Sequence, residues 1–556
     1  MPISFRPQAL IALAGLAVLL AVLAMTATTR NANPEAAIKP SGTQGSTYVE
    51  AMVGAPRFIN PLLATSDTDR DLTHLVFSGL TRVDERGEVA PDLASEWQIS
   101  PDGRVYTFTL KPDLRWHDGE PLTSNDVYFT IGLLKSPDFP GDAMLAAPWR
   151  DVQMPVTTTQ QTIQFTLSSP SVTFLSATSL GILPRHLWES VKSAEIAASP
   201  LNLRAVGSGP WRITADRYLM TDNQGSTNYE GVILEPFPYW GGGISRLWFR
   251  PYPSFGAALD GFKRGEVHGL GHIPDDQLAE ATSVPGVQLH KQALARYSML
   301  LLNTRSHLLD RAETRQALEL AIDREAIISQ SLNGNARPAH SPVLAQSWAY
   351  DATLPYRRYD PTKSRQLLDE AGWIVGAGGM RAREGVTMTV VLAANADVPT
   401  NAAVARQVET YLRDVGVDVR VALVPRDTLV NDYLRPRAYH IAVASWEAQS
   451  ADPDVFQYWH SSQANMTGGL NFSLWINPQA DAALDAARIK AGRDERRREY
   501  SEFQKAFLQD VPAVILYNPL YVYATHESVR GVTLPLTEMK DLAARFDSIR
   551  GWSLQP

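Results

Sequence analysis

The chain has no cysteine among its 556 residues. That excludes disulfides, thiolate metal sites, cysteine nucleophiles and a thioether-linked lipid anchor. It also lacks a marked excess of either charge. The 51 Lys and Arg against 59 Asp and Glu give a formal charge of -8, too mild and of the wrong sign for a nucleic-acid partner. Catalytic signatures are missing too: there is no G-x-S-x-G, no S-x-x-K, no Walker-type phosphate loop and no H-E-x-x-H. The nearest metal-like spacing is His268 with His272 in VHGLGHIPDD, and Gly269, Gly271 and Pro274 argue against the helix that would bring the two imidazoles together. Neither an enzyme nor a bound metal or cofactor is expected. No period of 20–50 residues marks a solenoid, and Gly207–Trp211 reads as a turn into a strand that needs no phosphate.

Apolar residues make up 44% and charged residues 20%, the balance of a globular protein. A single core stops growing at roughly 250–300 residues, so this length predicts two or three lobes. One long apolar run is present, Ala9–Met25, preceded by Arg6 and followed by the small residues Thr26-Ala27-Thr28-Thr29. It reads as a secretory signal or as a short membrane anchor, and either places the chain from Arg30 onward outside the cytoplasm. We take residues 1–30 as that segment and 31–46, rich in Asn, Pro, Gly, Ser and Thr, as a flexible tether.

From Thr47 strand and helix signals alternate. Val105–Leu110 (VYTFTL) has the period of a half-buried strand, and Thr123 with Asp126 resembles a capping box ahead of a helix through Leu134. Asp360-Pro361 and Asn477-Pro478 each place a capping side chain before a proline at the first helical position. Met388, Val390 and Leu392 alternate, Val404, Val408, Leu412 and Val415 form a helical stripe, and Val417, Val419 and Val421 alternate again. That is a βαβ unit, which implies parallel strands with a ligand at their carboxyl ends. Arg496, Arg497 and Arg498 read as a solvated helix face.

Several motifs in order resemble one family. They are Gly79-Leu80-Thr81-Arg82 with Ala90-Pro91-Asp92-Leu93-Ala94, then Leu114–Pro121 (LRWHDGEP) with Asn125-Asp126-Val127, and Gly207-Ser208-Gly209-Pro210-Trp211. Leu302-Asn303-Thr304, Arg315-Gln316-Ala317 with Ala321–Arg324, Asp360-Pro361 with Ala371-Gly372-Trp373, and Asp452-Pro453-Asp454 follow. Together they resemble the bacterial extracellular solute-binding proteins of family 5, the oligopeptide, dipeptide and nickel receptors of ABC importers.

That resemblance implies an α/β, two-lobed, hinge-bending periplasmic-binding-protein fold of type II character with an extra inserted domain. Its boundaries would be 47–80, 206–297 and 518–556 for domain I, 81–205 for the inserted domain II, and 298–517 for domain III. It also implies a monomeric extracytoplasmic receptor that closes on a peptide or other small solute and presents it to a membrane permease. In the peptide receptors an aspartate three residues after a tryptophan pairs with the peptide's α-ammonium. Here the tryptophan is Trp446 and the later position is Gln449, so Glu447 or Asp452 would have to substitute. Trp446, Tyr458, Trp459 and Trp475 are candidate stacking surfaces. A non-peptide solute (an oligosaccharide, a metal chelate or an opine-like compound), an extracytoplasmic hydrolase, and a receptor docking on a membrane sensor are the alternatives.

Overall fold

The computed structural model describes residues 46–555 apart from 151, 172, 215–219, 222–226, 229–230, 239–242, 377, 449–451, 467–468 and 491. The expected apolar segment, the tether through residue 45, and Gln449 lie outside the described residues. Among the described residues no helix is long and apolar enough to cross a membrane.

The scaffold is a mixed sheet of twelve strands. Its principal elements are β1 (Ser46–Val53), β2 (Ile244–Tyr252), β3 (Val287–Ala293), β4 (Arg296–Leu302), β5 (Thr389–Asn395), α1 (Pro399–Asp414), β6 (Asp418–Val424), β7 (Ile441–Glu447) and β8 (Ala513–His526). The order from one edge is β6-β5-β7-β4-β8, then the short strand Gly269–Leu270, then β1-β2 and the strands Val232–Pro236 and Trp211–Ile213. β5-α1-β6 is the βαβ unit that the apolar periodicity predicts, its strands parallel from Thr389 opposite Asp418 to Asn395 opposite Val424. Val404, Val408 and Leu412 of α1 are buried against it.

The two halves of the sheet belong to different cores. β1 and the second half of β8 sit over apolar clusters that include Tyr48, Trp116, Trp211 and Trp552, or Val49, Leu259 and Phe262. β4, β5 and β7 sit over others, with Leu300, Leu392 and Val443, or Met299, Trp459 and Phe507. Among the described residues, two neighbouring strand crossings carry the sheet from one half to the other. β8 pairs with β4 through Tyr517 and with β3 from Leu520, while β3 and β4 are separated by Leu294 and Ala295. These crossings make a two-lobed molecule with a hinge at its waist.

The inserted region builds a four-stranded sheet from Ala94–Ile99, Val105–Leu110, Thr162–Thr166 and Val156–Thr159. The helix Ser124–Leu134 packs beside it, and Thr123 with Asp126 closes the expected capping box. Two motifs about 90 residues apart lock this region to the first lobe. Gly207 N donates to His117 Nδ1 at 3.2 Å, and His117 Nε2 lies 3.0 Å from the Gly209 carbonyl, which makes Nε2 the donor. Burial lowers the His117 pKa to about 4, in keeping with a neutral ring. A Cβ at Gly207 or Gly209 would collide with backbone at Val76, so the glycines serve close packing, not an anion.

Candidate functional site

Of the residues marked by the sequence, Trp446, Glu447 and Tyr458 gather at the end of β7, beside the hinge. Trp446 is half-buried and stacks on Tyr458, ring centroids 4.8 Å apart and planes 14° from parallel, with Phe472 tilted beside it at 5.7 Å. The Tyr458 hydroxyl donates to the Glu447 carbonyl at 3.1 Å, fixing the wall to the strand end. The Glu447 side chain is exposed.

Asp452 takes a different part. Its carboxylate accepts from Arg496 Nη2 at 2.6 Å and from the Tyr500 hydroxyl at 3.2 Å. Burial raises its pKa, and Arg496 opposes that rise. Arg496 corrects the expectation of a solvated arginine face. It is 7% exposed, also donates to the Ala487 carbonyl at 2.7 Å, and lies over Trp348, whereas Arg497 and Arg498 are exposed. The reason is positional: one turn of the long helix Arg493–Asp510 faces the preceding helix Pro478–Ile489, and Arg496 is the member that points inward. Asp452 thus anchors the loop that follows β7.

Trp459 and Trp475 lie inside the second lobe. Trp459 is fully buried and donates to the Tyr297 hydroxyl at 3.2 Å; Trp475 is 2% exposed and donates to Asp510 at 2.7 Å. Neither ring offers a face to a solute in this structure, so of the four aromatics the strand end gathers only Trp446 and Tyr458.

Sequence reasoning passed over the C-terminal side of the waist. The C-terminal segment of the first lobe runs along the hinge strand: Met539 N donates to the Ala293 carbonyl at 2.8 Å, and the Met539 carbonyl accepts from Ala295 N at 2.7 Å. Glu538 accepts from Gln346 N of the second lobe at 2.7 Å, and Asp275 accepts from Asn335 Nδ2 at 3.0 Å. Farther out, Arg493 pairs with Glu88 of the inserted region.

Beneath this surface the first lobe holds a buried ion network. Arg545 meets Asp71 at 2.6 Å and Glu50 at 3.0 Å, and Glu50 also accepts from Tyr523 at 2.7 Å. His272, with a φ of 57°, pairs with Asp67 at 3.2 Å and Asp71 at 3.4 Å. Burial alone would lower its pKa, yet the two carboxylates hold it at about 9. His268 instead accepts from Val49 N at 3.0 Å and stacks on Tyr48. The two histidines therefore serve separate partners. Among the described residues no group of three or more His, Asp or Glu could hold a metal ion.

Two lobes on a strand hinge, with an aromatic wall and a buried ion pair at the waist, define a hinged solute-binding protein. Residues 88–468 match the model of the bacterial extracellular solute-binding proteins, family 5 (Middle), and the chain belongs to that family. It is 27% identical over 538 residues to the oligopeptide-binding protein AppA of Bacillus subtilis, covering 95% of this chain and 96% of that one. The AppA structure, in complex with a nonapeptide, superposes with a TM-score of 0.70 over 92% of this chain and all of its own at 25% identity. NikZ from Campylobacter jejuni, in complex with Ni(L-His), is 26% identical with a TM-score of 0.72, covering 91% of this chain and 99% of its own. The fold is shared again by HbpA2 from Haemophilus parasuis, with a TM-score of 0.79 at 22% identity over 92% of this chain and all of that one.

Proposed function

We propose that this protein captures a peptide-like solute between its lobes and hands it to the membrane subunits of an ABC importer, acting as a monomeric receptor and not as an enzyme. The observation that carries the reading is the position of the Trp446–Tyr458 wall. It stands at the end of β7, against the strand crossing through which the lobes move, where a trapped solute is enclosed by both. AppA, a relative along nearly the whole chain, holds a nonapeptide in the same fold.

On this reading the first lobe comprises 47–80, 206–297 and 518–556, the inserted part 81–205, and the second lobe 298–517. The crossings at Leu294–Ala295 and Asn518–Pro519 support those limits. The apolar stretch within residues 1–30 exports the chain or holds it at the membrane. Trp446, Glu447 and Gln449 are the candidate solute contacts that follow from the family resemblance, while Asp452 is held by Arg496.

A second reading, a metal chelate, is favoured by NikZ, which holds Ni(L-His). Native mass spectrometry of protein purified without refolding separates the two. A ladder of co-purified peptide masses is expected; a single non-peptide mass would sink the peptide reading.

A further inference from the structure

Lys540 follows Met539 in the segment that pairs with the hinge strand. Ala295, between β3 and β4, joins that segment to the end of β7: Ala448 N donates to its carbonyl at 2.8 Å, and its N donates to the Met539 carbonyl at 2.7 Å. The Asp452 carboxylate also acts on the Lys540 ammonium, so Lys540 of the first lobe lies close to the end of β7 in the second. Its ammonium is shielded from solvent and has no hydrogen-bond acceptor among the described residues.

The two carboxylates nearest in charge are engaged elsewhere, Asp452 with Arg496 and Tyr500, and Glu538 with the Gln346 amide. Trp446 Nε1, at the same strand end, is likewise a buried donor without an acceptor. Buried donors in native proteins are almost always satisfied, and an unpaired ammonium is the costliest exception. An ammonium of this kind at the waist calls for an acceptor that arrives with the solute.

We propose that Lys540 binds an anionic group of the solute, a carboxylate, at the hinge end of the cleft, so that the C-terminal segment of the first lobe takes part in specificity. This rests on the peptide-binding reading. Burial lowers the Lys540 pKa to about 7 against the pull of Asp452 and Glu538, which suits an ammonium completed by an external anion.

The test is a competition. Tryptic peptides of serum albumin, and the same peptides with every carboxylate amidated, are mixed in equal amounts with wild-type, Lys540→Met and Lys540→Arg protein. Captured masses are read by native mass spectrometry. Wild-type protein should prefer the free acids by about tenfold or more, the size of one charge-assisted bond. Lys540→Met should abolish the preference, Lys540→Arg should restore part of it, and Lys540→Met should not lower the unfolding temperature of solute-free protein.

Capture of acids and amides alike by wild-type protein, or a preference that survives Lys540→Met, overturns the subsite and leaves peptide binding standing. A lowered unfolding temperature with the preference intact assigns Lys540 a structural role and overturns it too. Capture of neither pool overturns the peptide reading itself, and the carboxylate subsite falls with it.

Discussion

Two buried cations stand five residues apart on the C-terminal segment and have opposite surroundings. Arg545 is fully enclosed and meets two carboxylates, Glu50 and Asp71, within 3.0 Å. Lys540 is shielded at its ammonium and has no hydrogen-bond acceptor among the described residues, although the charges of Asp452 and Glu538 act on it. A planar guanidinium suits a permanent site because its fixed fork can serve two acceptors at once, whereas an ammonium on a flexible stem gives up its proton more readily when desolvated. The first cation holds a lobe together. The second stands at the waist, where the protein itself leaves its partner unfilled.

The sharpest way to break the comparison is Arg545→Met. It leaves Glu50 buried without its cation and Asp71 with His272 alone, and should cost about 3–5 kcal/mol of stability, read as a fall in the urea midpoint. Adding Glu50→Gln should recover part of that loss; strict additivity would show that the pair is not coupled. Next, Asp452→Ala strips Arg496 of its carboxylate but leaves it the Ala487 carbonyl. A loss of about 1–3 kcal/mol is expected, with weakened capture because the loop after β7 loses its anchor. Trp446→Ala should weaken capture about thirtyfold with a smaller effect on unfolding, measured by calorimetric titration with the co-purified solute.

A gentler effect comes with pH. The pKa values of His272 and His74 are both carried up to about 9 from 6.5 by adjacent carboxylates, Asp67 and Asp71 for the first, Asp547 and Asp541 for the second. A group whose pKa is higher when folded binds its proton more tightly in the native state. Its contribution is therefore complete below about pH 6.5 and lost as pH rises toward 9. The urea midpoint should fall across that window, and less steeply in His272→Gln. Smallest of all, Arg493→Ala removes an exposed ion pair with Glu88 and should change stability by about 0–1 kcal/mol, with any effect on capture fading at high salt.

The parts of this molecule legible in the sequence are those whose cause is local. The cap of Thr123 with Asp126, the proline starts at Pro361 and Pro478, and β5-α1-β6 all depend on residues a few positions apart. The family motifs were also readable, though several turn out to be fasteners. Arg315 donates to the carbonyls of Leu309 and Asp510, and Asp323 caps the helix that begins at Arg324. What escaped notice depends on contacts across the whole chain. Glu50 and Arg545 are 495 positions apart, and nothing near either one marks it as half of a pair. Charge pattern alone could not show that Arg496 turns inward while Arg497 does not. Likewise, Tyr458 and Trp459 are neighbours in sequence and both are buried, and only the packing shows that one stacks on Trp446 while the other meets Tyr297 and Phe507.

β8 runs unbroken from Ala513 to His526 through both halves of the sheet, with Pro519 at the crossing. Proline contributes no amide hydrogen to a ladder, so where the strand passes between lobes it is held instead by the Pro519 carbonyl, which accepts from Leu294 N at 2.9 Å, and by the Asn518 side chain, which donates to the Leu294 and Arg296 carbonyls. A continuous ribbon shared by both lobes behaves as a leaf spring: each half stays flat on its own core while the bend concentrates in a few residues. Opening and closing then leave the packing within each core in place, and the bonds at stake are those between lobes, such as Glu538 with Gln346 N and Asp275 with Asn335.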